Sequence, residues 1–288
     1  MTKFAPRPLT QNIYTPESIL RHPKRLFTRM WYDLLASREL AWRLMVRDIS
    51  AQYRQSVLGV AWAFIPPLVM AAGFTLAGEA QVINTGRTDM PYPAYVMFST
   101  ALWQTFVDAV NGPVNATIKA KPMLARVNFP REAIILAKVG EVCFNFAIKL
   151  ILIIGIFIWY RIAITWTLIL APVALVHLIL FGTLVGTLLS PLGVLYDDVA
   201  RGLTMVTGFW LFVTPVVYSV PESGLFGALV QLNPVTPLLV TTRELATTGV
   251  VSEPLSFWVV SLLTWIGLFF VWIAFRIAIP YVIERVSS

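Results

Sequence analysis

Three arginines, Arg43, Arg47 and Arg54, fall within about 40° of one another on a helical wheel. Apolar and aromatic side chains occupy a different face of the same stretch: Trp42, Met45, Val46, Ile49 and Tyr53. Guanidinium groups suit phosphate because each can donate two parallel hydrogen bonds. The pattern predicts an amphipathic helix at a membrane surface whose arginines, together with Tyr53, meet an anionic lipid headgroup. The alternative is an anchor that only fixes the orientation of the chain.

A second basic segment, residues 113–131, lies between Pro113 and Pro130. Its candidate contact residues are Lys119, Lys121, Arg126, Phe129, Pro130 and Arg131. Phe129 and Pro130 would offer an exposed apolar side chain and a rigid turn to a partner. The segment predicts a docking surface for a second protein, and the alternative is a solvated loop kept basic for topology.

The elements that must position these residues follow from composition. Of the 288 residues, 57% are hydrophobic and 13% are charged, whereas soluble domains carry about 25% charged residues. Several apolar runs reach the roughly 20 residues that a helix needs to cross a bilayer. The sequence therefore predicts an all-α, polytopic integral membrane protein, and its net charge of +7 reflects topology rather than nucleic-acid binding.

We predict an N-terminal cytoplasmic segment, residues 1–56, and a transmembrane domain, residues 57–288. The six predicted spans are 57–78, 93–112, 133–158, 163–190, 203–220 and 256–276. With this arrangement one side of the membrane receives 17 Lys and Arg residues and both termini. The other side receives three, Arg87, Arg161 and Arg243. The positive-inside rule then places both termini in the cytoplasm.

Prolines mark two breaks in this helical pattern. Pro66 and Pro67 predict a kink inside the first span. Residues 221–255 contain two short apolar stretches, interrupted at Asn233–Pro234, and each is too short to span a bilayer. They predict a pair of re-entrant helices on the outer side of the membrane, with a folded surface loop as the alternative.

Ionisable residues inside predicted spans should face protein or water, because charge at that depth is costly. Lys138 and Glu141 are three residues apart on one helix face, which predicts an ion pair. Lys149 has no evident partner in its own span, and Asp108, Glu79, a water-filled path or a carbonyl group remain open. No convergent set of metal ligands is visible, and we expect no metal site.

Three short patterns occur in order along the chain. They are "RDISAQYRQSVLGVAWAFIPPL" (47–68), "NATIKAKPMLARVNFPREAI" (115–134) and "LNPVTPLLVTTRELATTG" (232–249). Together they resemble the permease subunits of ABC-2 type exporters that carry lipid-linked polysaccharides such as O-antigens. The junction Tyr53–Arg54, followed by residues 56–59, looks more like the O-antigen and teichoic-acid branches than the capsule branch.

The resemblance implies a homodimer that works with two copies of a separate ATPase in the bacterial inner membrane. Residues 113–131 would then form a coupling helix for that ATPase, and the arginine helix would form a gate beside the lipid headgroup. The substrate would be a polysaccharide on a lipid carrier, commonly undecaprenyl diphosphate. The chain contains no G-x-x-x-x-G-K-[ST] phosphate loop, so we expect ATP and Mg²⁺ only in the partner.

A sliding polysaccharide suits aromatic faces, which give contact area without fixed hydrogen-bond register. The candidate conduit residues are Trp62, Phe64, Trp103, Phe106, Phe209, Trp210 and Tyr218. The alternative for each is ordinary packing or an interfacial aromatic belt. For the whole chain, the alternatives are a teichoic-acid or capsule exporter and, from another class, a membrane enzyme acting on lipid phosphates.

Overall fold

The computed structural model describes residues 23–54, 57–80, 88–127, 129–221 and 223–287. All the regular elements within these ranges are helices, which confirms the all-α prediction. The α-helices are α1 (Pro23–Arg54), α2 (Ile65–Glu79), α3 (Tyr92–Arg126), α4 (Glu132–Trp159), α5 (Ala171–Leu195), α6 (Asp198–Val213), α7 (Gly224–Leu232), α8 (Val235–Ala246) and α9 (Pro254–Ser287). Short 3₁₀ helices precede α2 and α5, at Gly59–Ala63 and Trp166–Leu170. Residues 1–22 of the predicted N-terminal segment, and Arg87, lie outside the described residues.

Within the described ranges, four helical segments are long and apolar enough to cross a membrane: Gly59–Glu79, Glu132–Trp159, Trp166–Leu195 and Pro254–Arg285. The pair α7 and α8 would make a fifth if counted as one broken span. The predicted second span corresponds to α3, which is long but carries many polar residues. The predicted fifth span corresponds to α6, which has 16 residues. The multi-pass character is thus established, whereas the count of six spans stays a prediction.

The tandem proline does not lie in the interior of an α-helix. Pro66 and Pro67 occupy the first turn of α2. Backbone N–H groups in a first turn have no intrahelical acceptor, so proline costs no hydrogen bond there. The 3₁₀ helix Gly59–Ala63 comes just before them. The prolines therefore mark the change from 3₁₀ to α-helix inside the segment Gly59–Glu79, and a kink there stays a prediction.

The N-terminal helix α1 packs on α4. Ala41 and Leu44 are buried against Ala133 and Ala137, and the Met45 sulfur sits where a β-carbon on Gly140 would project. Small residues on both helices permit this close approach. The predicted amphipathic helix thus buries one strip against protein, whereas Trp42 on the neighbouring strip stays exposed.

Helix α3 forms the centre of the bundle and packs most extensively against α5. A β-carbon on Gly182 would lie 2.7 Å from that of Ala109, and one on Gly186 would meet the carbonyl oxygen of Val110 and the ring of Pro113. Only glycine allows this separation of the two backbones. The glycines at 182 and 186 therefore fix α3 and α5 side by side.

The break at Asn233–Pro234 separates α7 from α8, and the two helices meet at 84°. Asn233 braces the break: its Nδ2 donates to Val213 O and Thr214 Oγ1, and its Oδ1 accepts from the Val235 backbone N–H. Most of α8 is buried, whereas α7 exposes leucines. The helix pair has the predicted break, and its entry into a membrane from one side stays a prediction.

Candidate functional site

The arginine face of α1 is open to its surroundings. Arg43 Nη2 donates to Glu39 Oε1 at 2.5 Å, and Arg47 donates through Nε and Nη2 to Asp48 Oδ1 at 2.9 and 2.8 Å. Arg54, the last residue of α1, is also exposed. All three guanidinium groups are thus reachable from outside the chain, and those of Arg43 and Arg47 carry exchangeable carboxylate partners.

Tyr53 is turned the other way, into the bundle. Its hydroxyl donates to Asn145 Oδ1 at 3.0 Å and its ring lies beside Phe144. Burial raises the pKa of Tyr53, and the carboxylates of Glu141 and Asp108 raise it further. Tyr53 therefore stays a neutral hydrogen-bond donor that ties the end of α1 to α4.

A groove of about 480 Å³ opens between α1, the last turns of α3 and the first turns of α4. Its lining includes three cations and two carboxylates: Arg47, Lys119, Lys138, Asp48 and Glu141. Lys138 is paired with Glu141 and Arg47 with Asp48, which leaves the exposed Lys119 outside both pairs. An anion can enter this groove by taking the place of Asp48 at Arg47.

The basic segment 113–131 is mostly helical. Helix α3 continues through Pro113 and Pro122 to Arg126, and only the short connection 127–131 leads into α4. Lys119 and Arg126 are exposed, and Lys121, Pro130 and Arg131 are half-buried. Lys119, Lys121 and Arg126 thus lie on the last turns of a long helix, and Arg131 lies in the connection.

Phe129 does not form an exposed knob. Its ring is half-buried and packs against an apolar cluster that contains Leu124, Ile134, Phe275 and Ile279. The prediction is wrong because α9 supplies an apolar surface next to the connection, which the local sequence does not reveal. Phe129 anchors the connection to the bundle.

An arginine network joins three helices next to this connection. Arg276 on α9 donates to Asp33 on α1 and to Glu132 Oε1, the latter at 3.2 Å, and Trp272 Nε1 also donates to Glu132 Oε1. Glu132 is the first residue of α4 and is buried. The network therefore links the start of α4 to the arginine helix, and nothing in the local sequence around Asp33 predicts it.

Two of the predicted conduit residues belong to the core. Phe106 is fully buried, stacks on Phe181 and meets Trp210 edge-on, and Trp103 packs against Phe106. Their prediction as conduit residues is wrong, because α5 and α6 of the same chain cover this face of α3. Aromatic residue type alone does not distinguish a covered face from an open one.

The other predicted aromatics have mixed surroundings. Trp62 and Phe209 are exposed, and Phe64 lines a shallow apolar groove with the start of α3 and the end of α4. Trp210 Nε1 donates to Asn233 Oδ1, and the Tyr218 hydroxyl donates to Phe212 O. The structure thus leaves Trp62 and Phe209 available to a ligand and uses Trp210 and Tyr218 to hold the region around the α7–α8 break.

The predicted charges inside the bundle form two ion pairs. Lys138 pairs with Glu141, as predicted, and Lys149 Nζ donates to Asp108 Oδ2 at 3.1 Å. The Lys149 side chain is 5% exposed, but that of Asp108 is 44% exposed. Gln104, Asn111 and Asn115 continue the same open face of α3, and their spacing of three or four residues could have revealed them.

Near the α7–α8 break, Arg243 on α8 is 3% exposed. Its Nη1 donates to Ser99 Oγ at 3.0 Å and to Pro215 O at 3.2 Å, and its guanidinium carbon lies 4.2 Å from the centre of the Tyr95 ring. The Tyr95 hydroxyl donates in turn to Tyr218 O. Arg243 therefore fastens α8 to α3 and to the chain that follows α6.

Comparison with known proteins identifies the family to which the chain belongs. Residues 39–246 match the family described as ABC-2 type transporter, which covers well over half of the chain. The chain belongs to this family. ABC-2 membrane subunits work with an ATP-binding cassette ATPase, so this permease pairs with such a subunit.

Two relatives of known function cover most of the permease. It is 25% identical over 224 residues to the O-antigen export system permease protein RfbA of Myxococcus xanthus, across 75% of this chain and 84% of that protein. It is 21% identical over 232 residues to the protein of the same name from Klebsiella pneumoniae, across 77% of this chain and 85% of that protein. The ABC-2 permease resemblance seen in the three ordered motifs is thereby confirmed.

Proposed function

We propose that this ABC-2 permease exports a lipid-linked polysaccharide of the O-antigen type. The observation that carries the proposal is the similarity to two O-antigen export permeases over three quarters of the chain. The groove beside Arg47 and the open polar face of α3 agree with a substrate that has an anionic headgroup and a hydrophilic chain.

The working assembly is a homodimer with two copies of a separate ATPase, which binds ATP and Mg²⁺. This chain itself contributes no cofactor. The proposed location is the bacterial inner membrane with both termini in the cytoplasm. The excess of Lys and Arg on one set of flanks, 17 against three, supports this orientation.

The lipid headgroup, a diphosphate such as that of undecaprenyl diphosphate, binds at the groove between α1, α3 and α4. Arg47 lies in the groove and carries an exposed Asp48 pair, and Lys119 faces it from α3. Arg43 and Arg54 share the arginine face of α1. A diphosphate offers paired acceptors that replace the carboxylate of Asp48, since a guanidinium binds phosphate bidentately.

The ATPase docks at the end of α3 and the connection to α4. Lys121 and Arg126 project there, while Phe129 holds the connection against α9. A displacement imposed by the ATPase passes to Glu132, and from Glu132 through Arg276 to α1. ATP hydrolysis and the position of the arginine helix are thereby coupled.

Charge reversal tests the docking. Lys121→Glu and Arg126→Glu should weaken co-purification of the ATPase at least tenfold, because each replaces a projecting cation by an anion. Arg201→Glu is the matched control, since Arg201 is an exposed cation at the same end of the bundle but outside the segment. Loss of the ATPase in the control alone, or in none of the three, would contradict the assignment of the docking surface.

Transport itself is tested in inverted membrane vesicles that contain the permease and the ATPase. ATP should drive lipid-linked polysaccharide into the vesicle lumen, where a glycan-degrading enzyme added outside no longer reaches it. A vesicle that hydrolyses ATP but leaves all the polysaccharide accessible would overturn the proposed function.

A further inference from the structure

One face of α3 is polar and at least partly accessible over residues 104–119, a little less than half of the helix. Gln104, Asp108, Asn111, Asn115 and Lys119 recur every three or four residues, and none of the five is buried. They fall within an arc of about 80° on a helical wheel, with the fully buried Phe106 on the opposite side. We call these five residues the polar lane.

The polar lane cannot face lipid tails at low cost. From Gln104 to Lys119 the helix rises about 22 Å, and Gln104, Asp108 and Asn111 of this stretch lie within the predicted span 93–112. The half-exposed Asp108 carboxylate lies in this stretch, and charges and amides exposed to lipid are strongly unfavourable. This face of α3 therefore meets water, protein or a polar substrate.

Further polar groups lie on α4 next to the polar lane. Lys138, Glu141, Asn145 and Lys149 follow one face of α4 at similar spacing. Lys149 is buried and holds Asp108, and Asn145 is occupied by the Tyr53 hydroxyl. Lys149 thus holds one lane residue, Asp108, and Asn111 Nδ2 donates to Val107 O of α3 itself.

The end of the polar lane at Lys119 is continuous with the groove beside Arg47. Lys119 belongs to the lane and also lines the groove, and Lys138 and Glu141 line the groove from the α4 side. A polysaccharide whose headgroup occupies the groove would therefore have its sugars beside the lane. This continuity favours a substrate over a second protein as the occupant.

We infer that the polar lane binds the hydroxyl groups of the sugar chain as it crosses the membrane. The inference rests on the proposed function and extends it to a surface that differs from the aromatic one. Amide side chains both donate and accept hydrogen bonds, as hydroxyl groups do. The Asp108–Lys149 pair is neutral overall, so the part of the lane within the predicted span carries no net charge, and Lys119 is the one cation at its end.

Water access is the first test. In a Cys143→Ala background, single cysteines replace Gln104, Asn111 or Asn115, and the assembled transporter is treated with a charged methanethiosulfonate reagent. Cysteines at Ile151, Ile154 and Ile158 are the controls, because these side chains are exposed and apolar on α4. Lane cysteines should react at least tenfold faster than the controls. Equal or slower reaction means that lipid or a second copy of the chain covers the lane, which overturns the inference.

Transport by lane variants is the second test. Asn111→Leu combined with Asn115→Leu should lower export at least fivefold with the ATPase still bound, and Asn111→Gln with Asn115→Gln should retain export. Thr204→Leu is the matched control, since it replaces an exposed polar residue on α6 away from the lane. Normal export by the double Leu variant would overturn the inference that the polar lane binds sugars, and would leave the proposed exporter function intact. Failure of the proposed function shows differently, as absence of export by the unaltered transporter.

Discussion

The arginines at the two ends of the molecule are held in opposite ways. Arg43 and Arg47 on α1 are exposed and paired with carboxylates of their own helix. Arg243 on α8 is buried, and among the described residues no carboxylate forms an ion pair with it; a tyrosine ring, a serine and a backbone carbonyl hold it instead. The first arrangement suits a ligand that comes and goes, and the second suits a permanent fastening.

The largest expected effect is at the buried end. Arg243→Ala removes two hydrogen bonds and a ring contact and leaves a cavity, so it should destabilise the protein by about 3 kcal/mol. Thermal unfolding of the detergent-purified permease measures this as a lowered Tm. Arg161→Ala, at an exposed arginine, is the control and should leave Tm nearly unchanged. An unchanged Tm for Arg243→Ala would show that the buried arginine is not a fastening.

Arg276 lies between the two extremes. Its side chain is 22% exposed, and it contacts both Asp33 and the buried Glu132. Arg276→Gln removes the positive partner of a buried carboxylate, which should cost about 2 kcal/mol. We also expect α1 to separate from α4, observable as slower disulfide formation between cysteines placed at Leu44 and Ala137. The same disulfide rate in wild type and variant would remove Arg276 from the link between α1 and α4.

The smallest expected effects on stability are at the exposed end, where function is affected instead. Arg47→Lys and Arg54→Lys preserve charge but lose the bidentate geometry, so headgroup binding should weaken by about 1 kcal/mol, or roughly fivefold. Substrate-stimulated ATP hydrolysis and export measure the loss. Tm should change little, because exposed pairs contribute at most about 1 kcal/mol. Normal export by both Lys variants would reduce the arginine face of α1 to a membrane anchor.

Local signals were sufficient for some features. Asn233–Pro234 predicts the α7–α8 break because proline cannot continue a helix without losing a hydrogen bond, and the structure has the break there. Likewise, the spacing of Lys138 and Glu141 brings them together on any helix. These outcomes depend only on neighbours within one or two turns.

Features decided by distant contacts could not be predicted in the same way. Phe106 and Phe209 are the same residue type, and both lie in predicted spans. Phe106, on α3, is covered by α5 and α6, whereas Phe209, on α6, is exposed. Phe129 is covered by α9, whose position relative to the connection is a tertiary fact. The open face of α3 carried a usable signal in its polar spacing, because residues that avoid lipid repeat with the helical period.

Helix α3 also has a mechanical consequence. It runs unbroken for 35 residues, or about 52 Å, from the proposed ATPase docking surface to Tyr95 and Ser99 beside Arg243. Of its two interior prolines, Pro113, where such a rod would otherwise flex, is clamped against Gly186 of α5, and Pro122 lies in the last turns before Arg126. A tilt imposed at one end must therefore appear at the other, as in a lever, and we expect the α7–α8 pair to shift with each ATPase stroke without a relay of intermediate joints.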